Sequence, residues 1–321
     1  MIKAIRIHET GGPEVLRVEA LELPPPGPGE VRVRHEAVGV NFVDTYHRTG
    51  LYPLPLPTGL GVEAAGVVEA VGAGVAGLRA GDRVATIAPP GSYAEARNVL
   101  ADRAVPLPAG VGAEQAAAGF VKGLTAHMLM TRYRAVRAGD PVVVTAAAGG
   151  VGQLLVQWLK AIGATVIAVV GSDAKAATVR ALGADLALVS GRDDVPARVK
   201  ALTGGVPIVY DSVGKATFET SLDCLAPFGV LVVYGNASGP VPPIDPGLLA
   251  RKGSLAVARP SVFNHVARRA DLEAASAAFF AALAEGRVKV AVGGRWPLVE
   301  AAEAHRALES RATSGSLLLL P

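Results

Sequence analysis

Apolar and polar positions follow two rhythms along this chain, and the rhythm changes near residue 114. Before it, side chains alternate with a period of two in "IKAIRIHE" (2–9) and "EVLRVEAL" (14–21), which predicts strands with one buried face. A proline-rich turn and a further strand follow in "PPPGPGEVRVRHEAVGV" (24–40). The stretch "AAGVVEAVGAGVAGLRAGDRVATI" (64–87) adds Val-rich strands broken by glycines. Many short strands joined by Gly and Pro turns predict a barrel-like or distorted-sheet domain.

After the change, "AEQAAAGFVKGLTAHMLMTRYR" (113–134) has helical spacing, and from Asp140 strands and helices alternate. "PVVVTAAAG", "ATVIAVVG", "IVYDSVG" and "VLVVYGN" read as strands, and "VGQLLVQWLKAIG", "DAKAATVRALG" and "ATFETSLDCLAPFG" as helices. Continuous Val/Ile runs between amphipathic helices predict a parallel sheet covered on both faces. The last sixty residues return to helix, strand and helix, and "GSLLLLP" (315–321) is expected to close back onto the first domain as an edge strand.

The totals narrow the classes. A length of 321 residues suits two domains, and a half-hydrophobic composition argues against disorder. Neither a signal peptide nor an apolar run of membrane-spanning length is evident, so a soluble, cytoplasmic protein is expected. The single cysteine, Cys224, excludes an internal disulfide and a cysteine-built zinc cluster. A net charge of +3, with scattered Lys and Arg, argues against nucleic-acid binding. Excess Arg with scarce Asn, Gln, Cys and Met fits either a heat-adapted source or a biased genome.

The chemistry begins at Ala147-Ala148-Gly149-Gly150-Val151-Gly152, between a predicted strand and a predicted helix. A dinucleotide turn uses its first glycine for the tight bend, its second for close approach to the pyrophosphate and its third for helix–strand packing. Ala147 fills the first position and is small enough for it, so the pyrophosphate is expected over Gly149, Gly150 and Val151 at the positive helix end. At the end of the second strand, Val169-Val170-Gly171-Ser172 lacks the acid that bonds a free ribose diol, and Lys175 follows. That pattern points to NADPH. Asp173 is discordant, and its place in a helix's first turn explains it as a dipole partner.

These motifs, with "GVNFVDTYHRTGLYP" (39–53), "GVEAAGVVEAVG" (61–72), "FVKGLTAH" (120–127), "SLDCLAPFGVLVVYGNASG" (221–239) and "ESRATSGSLLLLP" (309–321), resemble the medium-chain dehydrogenase/reductase superfamily. Within it the chain is similar, almost end to end, to the zinc-free, NADPH-dependent quinone oxidoreductases of the zeta-crystallin-like branch. The resemblance implies a GroES-like β-rich catalytic domain over 1–119, a Rossmann doubly wound parallel-sheet domain over 120–258, and a return to the catalytic domain over 259–321. It also implies a homodimer joined through the Rossmann domains.

Zinc-dependent relatives carry an early cysteine, a Gly-His-Glu triplet and a four-cysteine lobe. Here the triplet reads Gly61-Val62-Glu63 and no cysteine precedes Cys224, so neither a catalytic nor a structural zinc site is expected. Without a Lewis acid, the reaction suits an acceptor that takes hydride readily, a small quinone or an alkene conjugated to a carbonyl.

The resemblance assigns site residues. Asn41 and Tyr46 line the nicotinamide and substrate pocket with Tyr52 at its mouth, in what reads as a loop after a strand, and Thr125 faces the nicotinamide end. Lys122, His47, His127, His265 and His305 receive no role. Val213 abuts the cofactor, while Tyr234, Gly235, Asn236 and Ser238 end a strand on the nicotinamide-ribose side, where ligands bind in such sheets. Arg311 matches an arginine at the 2′-phosphate, beside Gly171, Ser172 and Lys175. Ser190 stands where relatives often place a tyrosine over the adenine phosphate, which weakens the expected preference for NADPH. The expected activity is hydride transfer from NADPH to small quinones. Enone or enal double-bond reduction, and a mainly NADPH- or RNA-binding crystallin-like role, stay as alternatives.

Overall fold

A computed structural model describes all residues, 1–321. In chain order the first elements are β1 (Ile2–Ile7), β2 (Arg17–Leu21), β3 (Glu30–Val40), α1 (Phe42–Arg48), β4 (Thr58–Gly59), β5 (Glu63–Val71), β6 (Arg83–Ile87), β7 (Ala96–Leu100) and β8 (Ala104–Pro106). Helix α2 (Ala113–Arg132) leads into β9 (Pro141–Thr145), α3 (Gly150–Ile162), β10 (Thr165–Val170), α4 (Asp173–Ala181), β11 (Leu186–Val189) and α5 (Val195–Thr203). Then come β12 (Val206–Asp211), α6 (Phe218–Asp223), β13 (Leu225–Val233), α7 (Pro246–Arg251), β14 (Ala256–Ala258), α8 (Val262–His265) and α9 (Arg269–Ala284). The chain ends with β15 (Val292–Pro297), α10 (Ala301–Glu309) and β16 (Ser316–Leu320).

Two compact units result. The first holds Met1–Val121, Leu272–Ser276 and Val290–Pro321, and the second Lys122–Asp271 and Ala277–Lys289. The second thus keeps most of 259–289, which the sequence reading returned to the first, because α9 contributes most of its length to it.

In the first unit a small sheet (β2-β1-β4) accompanies a larger one ordered β15-β16-β3-β5-β6-β8. β3 also pairs with β7, and register shifts at Arg32/Val33 and His35/Ala37 bend it enough to serve several neighbours. Its alternating residues build cores around Ile5, Val38, Leu60 and Leu319, and around Val31, Val68 and Val99. β16 is not the expected edge strand. It lies between β3 and β15, which suits four consecutive leucines because both faces and both edges are covered.

The second unit is a six-stranded parallel sheet ordered β11-β10-β9-β12-β13-β14. Counted within the unit this is the 3-2-1-4-5-6 order, which reverses direction between β9 and β12 and opens a crevice at their carboxyl ends. Apolar runs at β9, β10 and β12 are almost fully buried, as a strand covered on both faces must be. The helix expected over 216–229 ends at Asp223, and Leu225–Gly229 already belongs to β13. No helix is long and apolar enough to cross a membrane.

Candidate active site

The glycine turn stands at the crevice. Ala146 takes a positive φ of 47° and its carbonyl accepts from Gly149 N at 2.9 Å, so the tight bend falls one residue before the expected position. Ala147 is fully buried instead. A Cβ on Gly152 would lie 2.5 Å from Ala146 O and 2.7 Å from Ala147 Cα, so only glycine lets α3 seat this close to the turn. Gln153 locks the arrangement by donating from Nε2 to Ala148 O at 2.8 Å. The opening amides of Gly150, Val151 and Gly152 have no carbonyl one turn back within α3, and they form a positive cradle suited to a pyrophosphate.

Two strand-end loops flank that cradle. Asp211, fully buried at the end of β12, accepts from Val213 N (2.7 Å), Gly214 N (3.0 Å), Thr217 Oγ1 (2.6 Å) and Ser221 Oγ (2.6 Å). Four donors on one carboxylate fix the backbone that presents Val213. The loop after β13 is clasped to it: Tyr234 N donates to Asp211 O at 2.7 Å, and a Cβ on Gly235 would meet Ser212 O at 2.3 Å. Ser238 Oγ donates to Val213 O and accepts from Ala216 N. Its hydroxyl therefore joins the two loops. Asn236 is half-buried beside it, and Thr125 is buried on α2.

At the end of β10, Gly171 is exposed with open space where a Cβ would stand, and Ser172 caps α4 by accepting from Lys175 N at 3.4 Å. Partial burial lowers the Lys175 ammonium from its ordinary value. Asp173 is more than a dipole partner: Arg192 Nη1 donates to both its oxygens, at 2.7 and 2.8 Å. Ser190 is exposed, its amide donating to Val170 O at 2.8 Å. In the first unit Arg311 is exposed just past α10 with φ 57°, a left-handed conformation uncommon for a residue with a side chain.

The first unit's candidate residues cluster on α1, which corrects the expected loop. Asn41 is the N-cap, and its backbone N donates to Asp44 Oδ2 at 2.8 Å, which starts a helix the alternating pattern did not reveal. Tyr46 and Tyr52 meet edge to face, ring centroids 5.2 Å apart, tied by Tyr52 N donating to Tyr46 O at 3.0 Å. Tyr46 is buried and Tyr52 half-buried.

Glu63, the survivor of the triplet, is fully buried, with one oxygen accepting from Asn41 Nδ2 and the other from Val121 N, each at 2.7 Å. Gly39 makes room for it, since a Cβ there would lie 2.2 Å from the carboxylate. The carboxylate thus orients the Asn41 amide. No group of three or more His, Cys, Asp or Glu is placed to hold a metal.

A buried polar chain supports the same helix, and sequence reasoning missed it. Arg48, 2% exposed, donates from Nη1 to His305 Nδ1 at 2.9 Å and pairs with Glu309 through Nη1 (3.0 Å) and Nη2 (2.7 Å). Arginine only donates, so Nδ1 of His305 accepts and Nε2 carries the hydrogen. That hydrogen goes to Tyr93 Oη at 3.0 Å, and the Tyr93 hydroxyl donates to Asp44 Oδ2 at 3.0 Å. Burial, with the Arg48 charge adding to it, drives His305 down to about 3, so it is neutral. Burial first, then Asp44, pushes the Tyr93 phenol well up. From Arg48 through His305 and Tyr93 each donor points toward Asp44 and so toward the start of α1, while Glu309 holds the Arg48 guanidinium.

Comparison with known proteins fits this geometry. Residues 27–109 match the alcohol dehydrogenase GroES-like domain, and residues 150–280 match the zinc-binding dehydrogenase family. A quinone oxidoreductase of Pseudomonas aeruginosa is 46% identical over the whole of both chains, and a 2-haloacrylate reductase of a Burkholderia species is 41% identical over all of this chain and 99% of its own. The structure of Escherichia coli quinone oxidoreductase complexed with NADPH superposes with a TM-score of 0.97 at 45% identity, covering 99% of this chain and 100% of that one. The chain belongs to the medium-chain dehydrogenase/reductase superfamily, a class defined by a GroES-like unit and a Rossmann unit. Within the superfamily its place is the zinc-free quinone oxidoreductase branch.

Proposed function

We propose that the protein is an NADPH-dependent quinone oxidoreductase that works without a metal. The single observation that carries this reading is the end-to-end similarity to quinone oxidoreductases, 46% in sequence and 0.97 in TM-score to an NADPH complex. When bound, NADPH supplies a hydride from its nicotinamide ring. The amides of Gly150, Val151 and Gly152 and the dipole of α3 hold the pyrophosphate, while Gly149, whose own amide donates to Ala146 O, lets it approach the backbone. In the second unit Gly171, Ser172, Lys175 and Ser190 receive the adenosine ribose and its phosphate; in the first unit Arg311 is the cation that the family resemblance assigns to the 2′-phosphate. Val213, Tyr234, Gly235 and Asn236 shape the nicotinamide-ribose side, and Ser238 fastens their loops. In the first unit Asn41 and Tyr46 are the residues offered to the nicotinamide, and Tyr52 completes their aromatic surface for the acceptor; in the second unit Thr125 is the residue offered to the nicotinamide. The Asn41 amide, held by Glu63, and the Tyr46 hydroxyl are the donors that steady oxyanion charge on the reduced acceptor. The expected assembly is a cytoplasmic homodimer joined through the Rossmann units.

A second reading, reduction of the double bond of an enone or enal, is favoured by the 41% identity to a 2-haloacrylate reductase, whose name also describes an alkene reduction. NADPH oxidation by the purified protein against a panel of small quinones and conjugated enones, with NADH in parallel, separates the two. Turnover on quinones with NADPH preferred is the expected outcome. Turnover on enones alone selects the second reading, and no turnover on either defeats both.

A further inference from the structure

The end of β10 carries one charge that the cofactor reading leaves unexplained. A carboxylate here suits a nucleotide with a free ribose diol and opposes one bearing a 2′-phosphate. Asp173, the first residue of α4, is such a carboxylate, and it precedes Lys175 by only two positions. Its side chain is 77% exposed, yet it is bridged by Arg192 through both oxygens.

The backbone places Arg192 there. Ser190 N donates to Val170 O at 2.8 Å and joins the turn after β11 to the end of β10. The turn closes on itself through Arg192 N and Asp193 N donating to Val189 O, while Asp193 Oδ2 accepts from Val189 N at 2.7 Å. Arg192 Nε also approaches Asp193 Oδ1 at 3.4 Å. The guanidinium is thus held between two carboxylates beside the cap of α4. With Arg192 present, the charges of Asp173, Lys175, Arg192 and Asp193 cancel. Without it, an excess negative charge would face an incoming phosphate dianion.

We infer that Arg192 determines specificity for a nucleotide phosphorylated at the adenosine 2′-hydroxyl, by pairing with Asp173 and so removing the carboxylate that competes with Lys175. The inference rests on the reading that the adenosine ribose lies at the end of β10. It answers the substitution at Ser190, where no aromatic ring is available, with a cation two residues further on.

The test is fluorescence titration of the full-length protein with NADPH and with NADH, for the wild type and for Arg192→Ala, Asp173→Ala with Arg192→Ala, and Lys175→Ala. Arg192→Ala is expected to weaken NADPH about threefold to tenfold relative to NADH, the size of one well-formed, partly exposed charge pair. Removing Asp173 as well is expected to bring the NADPH-to-NADH ratio back to within about twofold of the wild type, since the carboxylate to be cancelled is gone. An unchanged ratio in Arg192→Ala, with a lowered ratio in Lys175→Ala, overturns the role of Arg192 and leaves the ribose placement standing. If neither variant moves the ratio, the ribose placement fails and the inference with it. Weakening in Arg192→Ala that Asp173→Ala does not reverse also overturns it, because Arg192 would then act on the nucleotide directly.

Discussion

Replacing Tyr93 with Phe removes one oxygen from the polar chain beneath α1 and leaves the ring in place. The ring is 1% exposed and lies against Gly61, where a Cβ would come within 2.2 Å of it, so its packing survives the change. The hydroxyl donates to a carboxylate, Asp44, and accepts the Nε2 hydrogen of His305. Its loss costs one charge-assisted hydrogen bond and leaves a buried N–H without an acceptor. Each is worth about 1–3 kcal/mol, and because the two share one network the expected total is about 2–4 kcal/mol. The chain has two tryptophans, and Trp296 packs against the first unit's core, so Trp158→Phe makes Trp296 the reporter for that unit. Urea unfolding followed by Trp296 fluorescence should show a lowered midpoint with an unchanged slope. The start of α1 should loosen too, since Asp44 also receives Asn41 N, and amide exchange at 41–44 should quicken. A stability loss below about 0.5 kcal/mol, less than a single ordinary hydrogen bond, would refute the bridging role.

The other predictions use the same reasoning. Gly152→Ala drives a Cβ into the backbone of Ala146 and Ala147, so NADPH affinity should fall at least about tenfold; unchanged titration would contradict the packing requirement. Burial lowers His35 and His265 to about 4 and His305 to about 3. The unfolded chain therefore binds more protons below about pH 6.5, and stability is complete above that value and lost as the pH falls toward 4, by about 1.4 kcal/mol per pH unit per histidine. Urea titrations at pH 7, 6 and 5 should show it, and a flat response from 6.5 to 5 would refute neutral burial. The Cys224 thiol, pushed up to about 12 mainly by burial, should resist a thiol reagent until denaturant is added; rapid labelling of the folded protein would contradict its burial. Activity should persist after exhaustive chelation, and a loss restored by zinc would show that a metal takes part.

Local signals carried the Rossmann unit. The glycine turn and the Val/Ile runs depend on residues only a few positions apart, and the strands and helices of 140–183 follow from them. The same stretch shows where local reading stops. Ala147 was legible as a small residue in a turn, but the positive φ belongs to Ala146. Helix α1 escaped notice because its residues are mostly buried around the turn, leaving no polar face to give a 3.6-residue period.

What the sequence by itself determined was the kind of fold, the glycine turn at the start of α3 and the lack of the cysteines and the triplet histidine that zinc-dependent relatives use, since each depends on residue type and short spacing. Tertiary structure alone decided how the buried charges are paired. Arg48 meets His305 across 257 positions, and Glu63 reaches Asn41 across 22 and Val121 across 58. A buried polar group needs a partner wherever the fold can provide one, and no periodicity in the chain records which distant side chain that will be.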